Sequence, residues 1–300
     1  MSVELRAPTL DDLPALTDLI NRDSQELFGE REETVESMRE WFAVPSLNPE
    51  TDMRVAVTDG TFRGYVDIDD DPHPVYWIDL RVPPSEPDEV REALVDWVFA
   101  RGREREGERL RVHTMSTDEA TKRLLEARGL ELIRHFYRMR IELDPPPEEP
   151  EWPESVTVRM AAPEDAEAVY EAHQESFEDH WAHVRQPFDQ WEHSFLGEGF
   201  DPELWFLAVS DGEIAGVSLC RQHKAEPDQG EVRVLGVRTP WRRRRLGRAL
   251  LLHSFHEFRR RGLKAGVLGV DATSLTGANR LYESVGMRVV RQSDVYELRL

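Results

Sequence analysis

Two runs of apolar and polar positions recur along the 300-residue chain at nearly constant spacing. VELRAPTLDDLPAL begins at Val3 and VTVRMAAPEDAEAV at Val156, an offset of 153. Each alternates apolar and polar residues, passes an acidic cap, and continues with apolar positions at helical spacing. Each therefore predicts a short strand followed by an amphipathic helix. RLLEARGLELIR from Arg123 and RLYESVGMRVVR from Arg280 repeat at an offset of 157. Each predicts a helix stopped by a glycine, Gly129 or Gly286, that leads into a strand. Offsets this stable imply two copies of one unit. Between them Glu142–Ser155 (ELDPPPEEPEWPES) holds five prolines and six acids, a composition that excludes helix and central strand and predicts an exposed, semi-rigid linker. The expected division is residues 1–143, a linker at 144–155, and residues 156–300.

The second copy carries the clearer pattern. Strands are expected at Val156–Met160, Leu204–Ser210, Ile214–Arg221, Glu231–Val237 and Lys264–Val270, with one or two more in Met287–Leu300. Leu204–Ser210 and Ile214–Arg221 form a hairpin about the Asp211-Gly212 turn. Helices are expected at Pro163–Gln174, Phe188–Phe195, Leu246–Arg261 and Leu275–Val285. The order β-α-α-β-β-β-α-β-α-β gives an α+β class. Each copy is then a mixed, mostly antiparallel twisted sheet flanked by helices.

Composition narrows the functional classes. Hydrophobic residues make up 39% and charged residues 32%, which is globular. One cysteine, Cys220, excludes an internal disulfide framework and fits a reducing compartment. The chain has no run of about 18 apolar residues and opens on acidic residues, so a cytoplasmic protein with no membrane segment is expected. The net charge of -21 argues against general nucleic-acid binding. That charge is uneven: residues 1–150 carry a net -16 and residues 151–300 a net -5. Between Pro240 and Lys264 nine basic residues accompany a single acid, Glu257, which marks a local polyanion site. The histidines show no metal-ligand spacing, and no metal is expected.

The basic island lies in VLGVRTPWRRRRLGRALL, Val234 to Leu251, where a strand runs through a turn and a basic loop into a helix. A helix start presents unpaired N–H groups and the positive end of its dipole, which suits a pyrophosphate. Read alone, the segment is equally a solvated helix start or a nucleic-acid patch. By the two-residue period of a strand, Glu231 shares a face with Arg233, Leu235 and Val237.

This segment resembles the acyl-CoA-binding motif of the GNAT superfamily, the acetyl-CoA-dependent N-acyltransferases, whose loop reads Arg/Gln-x-x-Gly-x-Gly/Ala. Arg242 and Gly247 match the first and last positions, and Arg245 stands where the first glycine is usual. VDATSLTGANRLYESVGMRVV resembles the closing segment of the family, with Thr273-Ser274 in place of its common Asp-Asn turn. The resemblance covers residues 156–300 well and residues 1–143 weakly. It implies that Leu235, Gly236 and Val237 align the pantetheine and thioester by their backbone. Arg242, Arg243, Arg244, Arg245, Leu246, Gly247 and Arg248 would hold the phosphates, with Ser274 in the closing turn. Glu231 is implied as the base for a primary amine on a small-molecule acceptor, and Tyr282 as the acid for the leaving thiolate. His180, Trp181 and His183 fall where the family often covers its acceptor. Attack is expected to be direct, in a ternary complex. In the first copy, Tyr76 and Leu125 take the positions of Glu231 and Tyr282, and the loop PPSEPDEVREAL is acidic, so that copy is expected to be degenerate. Two other classes stay open, a CoA-binding sensor without turnover and an interaction protein. The sequence does not give the oligomeric state.

Overall fold

The computed structural model describes residues 3–69, 74–197, 200–273 and 277–300. They form two compact units. The first contains Met1–Phe136, Lys224–Glu226 and Arg291–Leu300, and the second Tyr137–His223 and Pro227–Val290.

In the first unit β1 (Glu4–Arg6), β2 (Met53–Thr58), β3 (Thr61–Asp69) and β4 (Val75–Arg81) pair in sequence as an antiparallel meander. β4 then pairs in parallel with β5 (Arg109–Met115) through the crossover helix α4 (Asp88–Glu104). Helices α1 (Leu13–Phe28) and α2 (Val35–Phe42) bury Leu13, Leu16, Ile20 and Met38 with Met53, Val55 and Tyr65. On α4 the residues Val90, Leu94 and Val98 pack with Tyr76, Ile78 and Leu80 of β4. The short helices α3 (Pro49–Asp52) and α5 (Glu119–Ala127) complete the unit.

The second unit repeats the plan. β6 (Glu131–Glu142) contributes residues 137–142, and β7 (Val156–Met160), β8 (Trp205–Ser210), β9 (Glu213–Gln222) and β10 (Gln229–Val237) are antiparallel in turn. β10 pairs in parallel with β11 (Ala265–Asp271) after α8 (Leu246–Arg260). α6 (Ala166–Phe177) and α7 (Phe188–Phe195) cover one sheet face with a cluster around Trp191, which stacks on Phe195 and meets Trp205 edge-on. α8 covers the other with Leu250, Phe255 and Phe258, joined by α9 (Ala278–Ser284) through Tyr282.

The repeat seen in the sequence has an atomic echo. Arg6 binds both oxygens of Asp12 at 2.8 Å, and the Thr9 N–H donates to the same carboxylate. Arg159 binds Asp165 at 2.6 and 2.7 Å, and the Ala162 N–H donates to it. All three positions repeat at the offset of 153.

The compact units do not follow the division drawn from the sequence. β12 (Arg288–Arg299) is a single long strand. Its residues 293–299 pair with β5 and so complete the first unit's sheet. Residues 137–142 of β6 belong to the second unit, where Ile141 and Met139 enter its core. Each repeat therefore surrenders part of its closing strand. The expected helix at Leu275–Val285 is α9, with residues 274–276 outside the described residues.

Candidate active site

β10 departs from regular pairing where the sequence places the chemistry. Its ladder with β11 runs over three pairs, Gln229–Ala265 to Glu231–Val267, although both strands continue. Beyond Glu231 its register is with β9 alone, interrupted by a bulge between Val232 and Val234. A β-bulge bends and twists its strand away from a neighbour. Here it falls directly after the last β10–β11 pair, so Val232–Val237 have no pairing on the β11 side among the described residues. In the first unit the matching β4–β5 ladder runs over five pairs, and β4 carries no bulge.

The bulge also corrects the predicted face of Glu231. A Cβ on Gly230 would strike Phe258 of α8, whereas one on Gly236 would lie 2.8 Å from the Cβ of Ser176 on α6. Arg233 donates to the Ser194 carbonyl and lies over the Phe195 ring of α7. Glu231 and Arg233 thus share the α6–α7 face, while Leu235 and Val237 pack on the α8 side. The extra residue shifts the alternation. The same parity moves the first-copy counterpart of Glu231 from Tyr76, which packs against α4, to Trp77. Leu125 is buried in the first unit as Tyr282 is in the second.

Glu231 is buried between two guanidiniums. Arg138 Nη1 donates to Oε1 at 2.6 Å and Arg221 Nε to Oε2 at 2.7 Å. Burial alone would raise this carboxyl, but Arg138 and Arg221 outweigh burial and hold it at about 2. Such a carboxylate is fully ionised and a weak proton acceptor at neutral pH. Arg138 belongs to the closing strand of the first repeat, and no spacing in the sequence links it to Glu231.

After β10 a turn at Thr239–Trp241 leads into the basic loop. Arg242 is built into the framework: Nε donates to the Val237 carbonyl, Nη2 to that of Ser176, and Nη1 to Asp179 at 2.6 Å. Arg238 likewise binds Glu175 at 2.6 Å. Arg243 and Arg245 adopt the left-handed conformation, with φ of +63° and +61°. Arg245 caps α8 in the conformation for which a glycine is favoured. The loop therefore forms without the glycine. Arg243 and Arg244 are exposed and make no hydrogen bond or ion pair with the described residues. Arg248 lies in the first turn of α8. Leu246 is buried in the core, and a Cβ on Gly247 would touch both Leu281 and Val237. The end of β10, the start of α8 and α9 meet there.

Tyr282 is buried on α9, and burial pushes its phenol up to about 12. The hydroxyl keeps its proton throughout the neutral range. Asn279, which the sequence reading passed over, donates to the carbonyls of Asp271 and Ala272 and ties α9 to the end of β11. Its Oδ1 is buried without a hydrogen bond among the described residues. Ser274 lies outside the described residues.

His180, Trp181 and His183 lie in the turn-rich segment between α6 and α7. Burial lowers the pKa of both histidines, helped for His180 by His183 and Arg242. His173 accepts a 2.9 Å hydrogen bond from the Trp191 indole, and burial lowers it to about 4. Burial thus favours the neutral form of all three imidazoles. Cys220 is a buried strand residue whose thiol burial raises to about 11.

Comparison with known proteins gives this geometry its context. Residues 166–287, from α6 through α9, match the model of the acetyltransferase (GNAT) family. A solved GCN5-related N-acetyltransferase from Sphaerobacter thermophilus is 30% identical, with a TM-score of 0.82 over 99% of this chain and 95% of that one. The chain belongs to the GNAT family. A tandem GNAT protein from the clavulanic acid biosynthesis pathway shares the fold at 16% identity, with a TM-score of 0.81 over 99% and 98% of the two chains. Among curated proteins, mycothiol acetyltransferases of Streptomyces bingchenggensis and Thermobispora bispora are each 36% identical over 171 and 172 residues. Those matches cover 55% and 56% of this GNAT chain, and they span little more than half of each relative, 55% and 58%. No helix among the described residues is long and apolar enough to cross a membrane.

Proposed function

We propose that the second unit binds acetyl-CoA and transfers its acetyl group to the primary amine of a small-molecule acceptor. The observation that carries this reading is the opening of β10 from β11 directly before a basic helix start in a GNAT chain. The relatives named for mycothiol acetylation make the amine precursor of mycothiol the first acceptor to test. They favour turnover over a sensor or interaction role. Arg245, which stands where the family's first glycine is usual, adopts a positive φ that glycine favours, so the loop keeps its turn.

The residues fit the co-substrate. Arg243 and Arg244 offer exposed guanidiniums that are unpaired among the described residues, and the first turn of α8 supplies helix-start N–H groups suited to a pyrophosphate. In an antiparallel pair alternate residues turn their backbone groups away from the partner. The Arg238 N–H donates to the Ala215 carbonyl, and Gly236 faces β9. The Leu235 N–H and C=O and the Val237 N–H therefore lie on the edge that β11 leaves, suited to the amides of pantetheine and to a thioester carbonyl. The Val237 carbonyl is taken by Arg242. Acetyl-CoA supplies the activated acyl group and a thiolate leaving group. Tyr282, protonated and buried, donates the proton that thiolate takes up. Glu231 takes the ammonium proton once the acceptor draws Arg138 or Arg221 away from it. Arg221 is the more exposed of the two. His180, Trp181 and His183 line the acceptor side. The first unit, with its longer β4–β5 ladder and acidic loop, takes no part in the transfer.

The test is thermal unfolding with and without acetyl-CoA, followed by thiol release with candidate amines. At 100 times Kd a ligand of the native state adds about 2.7 kcal/mol. In Arg243→Glu/Arg244→Glu, which breaks no hydrogen bond or ion pair among the described residues, that shift should be lost. An unchanged shift would place the ligand elsewhere, and no shift in the wild type would remove the reading.

A further inference from the structure

The proline-rich segment between the repeats does not hang clear of the second unit. The Leu143 N–H donates to the Lys264 carbonyl at 2.9 Å. Trp152 packs on the α8 core, with its ring edge-on to His253 at 5.8 Å. His256 meets the Glu148 carbonyl oxygen at 3.0 Å. These contacts lay the segment along α8.

Its carboxylates then meet the arginines at the start of that helix. Glu148 Oε2 lies 2.5 Å from Arg248 Nη2, and Glu151 Oε2 lies 3.5 Å from Arg245 Nη1. Both carboxylates are three-quarters exposed, 75% and 76%, so burial does not force either contact. Arg245 is the N-cap and Arg248 the third residue of α8. The two guanidiniums flank the N–H groups that favour anions. Among the loop arginines, Arg242 is tied to the framework, and Arg243 and Arg244 make no hydrogen bond or ion pair with the described residues. Arg245 and Arg248 are answered by the chain's own anions.

We infer that Glu148 and Glu151, seated on Arg245 and Arg248 at the proposed phosphate site, are internal placeholders which a phosphate of acetyl-CoA displaces. The linker thereby sets the affinity of the site. This rests on the acetyl-CoA reading above. An exposed carboxylate–guanidinium pair is weak and salt-sensitive. A terminal phosphate brings up to about two negative charges and more acceptor oxygens, so it wins the same guanidiniums. Only two side chains need to swing, because Leu143, Trp152 and the Glu148 carbonyl hold the segment in place.

The experiment is calorimetric titration of wild type and Glu148→Gln/Glu151→Gln with acetyl-CoA and with phosphate-free acetyl-pantetheine. The variant should bind acetyl-CoA roughly two- to tenfold more tightly and acetyl-pantetheine no differently. The gain should shrink in about 0.5 M salt. Equal affinities in the two proteins would overturn the inference alone, and so would an equal gain for acetyl-pantetheine. If neither protein binds acetyl-CoA, the reading of the site fails first and the inference falls with it.

Discussion

Arg245 holds a φ of +61° at the N-cap of α8, where an L-residue with a Cβ is strained and glycine is not. Arg245→Gly should therefore raise unfolding stability by about 1 kcal/mol, read as a higher urea midpoint at unchanged slope. A fall in the midpoint would mean that the arginine's contacts outweigh its backbone. Glu231 makes a prediction in pH. Its folded value, about 2, lies below the ordinary carboxylate value, so its ion pairs stabilise the fold above about pH 4.3 and are lost as pH falls towards 2. The stability gap between wild type and Glu231→Gln should be largest near neutrality, up to about 3 kcal/mol. It should close through that acid window, as followed by urea unfolding at stepped pH. At this scale the sequence was informative about residue identity and silent about partners. The arginine run and Tyr282 are visible in the sequence, but that Arg242 is structural depends on Ser176 of α6 and on Asp179 just after it, more than sixty residues away.

Most elements followed from local pattern. Phe188–Phe195 was read with its bounds intact, and the Asp211-Gly212 turn closes β8 and β9 with both residues at positive φ. The bulge in β10 was not legible, because Val232 and Val234 are apolar and each sheet face there is buried. Alternation carries no register information when both faces need apolar residues. Gly236 tests the geometry that results. Its Cβ position lies 2.8 Å from Ser176 on α6, so Gly236→Ala should cost about 1–3 kcal/mol of stability. Restoring most of that with Ser176→Gly in the same chain would show that the close approach is responsible. A neutral Gly236→Ala would mean that α6 yields easily.

Across the whole chain the repeat was plain in sequence, and it persists down to the paired Arg6–Asp12 and Arg159–Asp165 contacts. The two copies differ where the co-substrate is proposed to bind. One has a shorter parallel ladder and arginines, the other a longer ladder and acids. Titration should therefore find one acetyl-CoA per chain. A second equivalent of comparable affinity would contradict the assignment of the first copy as degenerate. The membership of the closing strands could not be read in advance, since RLLEARGLELIR and RLYESVGMRVVR offer either sheet nearly the same strand.

That shared membership has a consequence for descent. Once a duplicated ancestor let residues 137–142 complete the second sheet and residues 293–299 complete the first, neither copy could be deleted without leaving the other a raw edge prone to aggregation. A copy that the proposed transfer does not use is then preserved as the donor of six residues. Selection on the half proposed to be active keeps its twin in the gene.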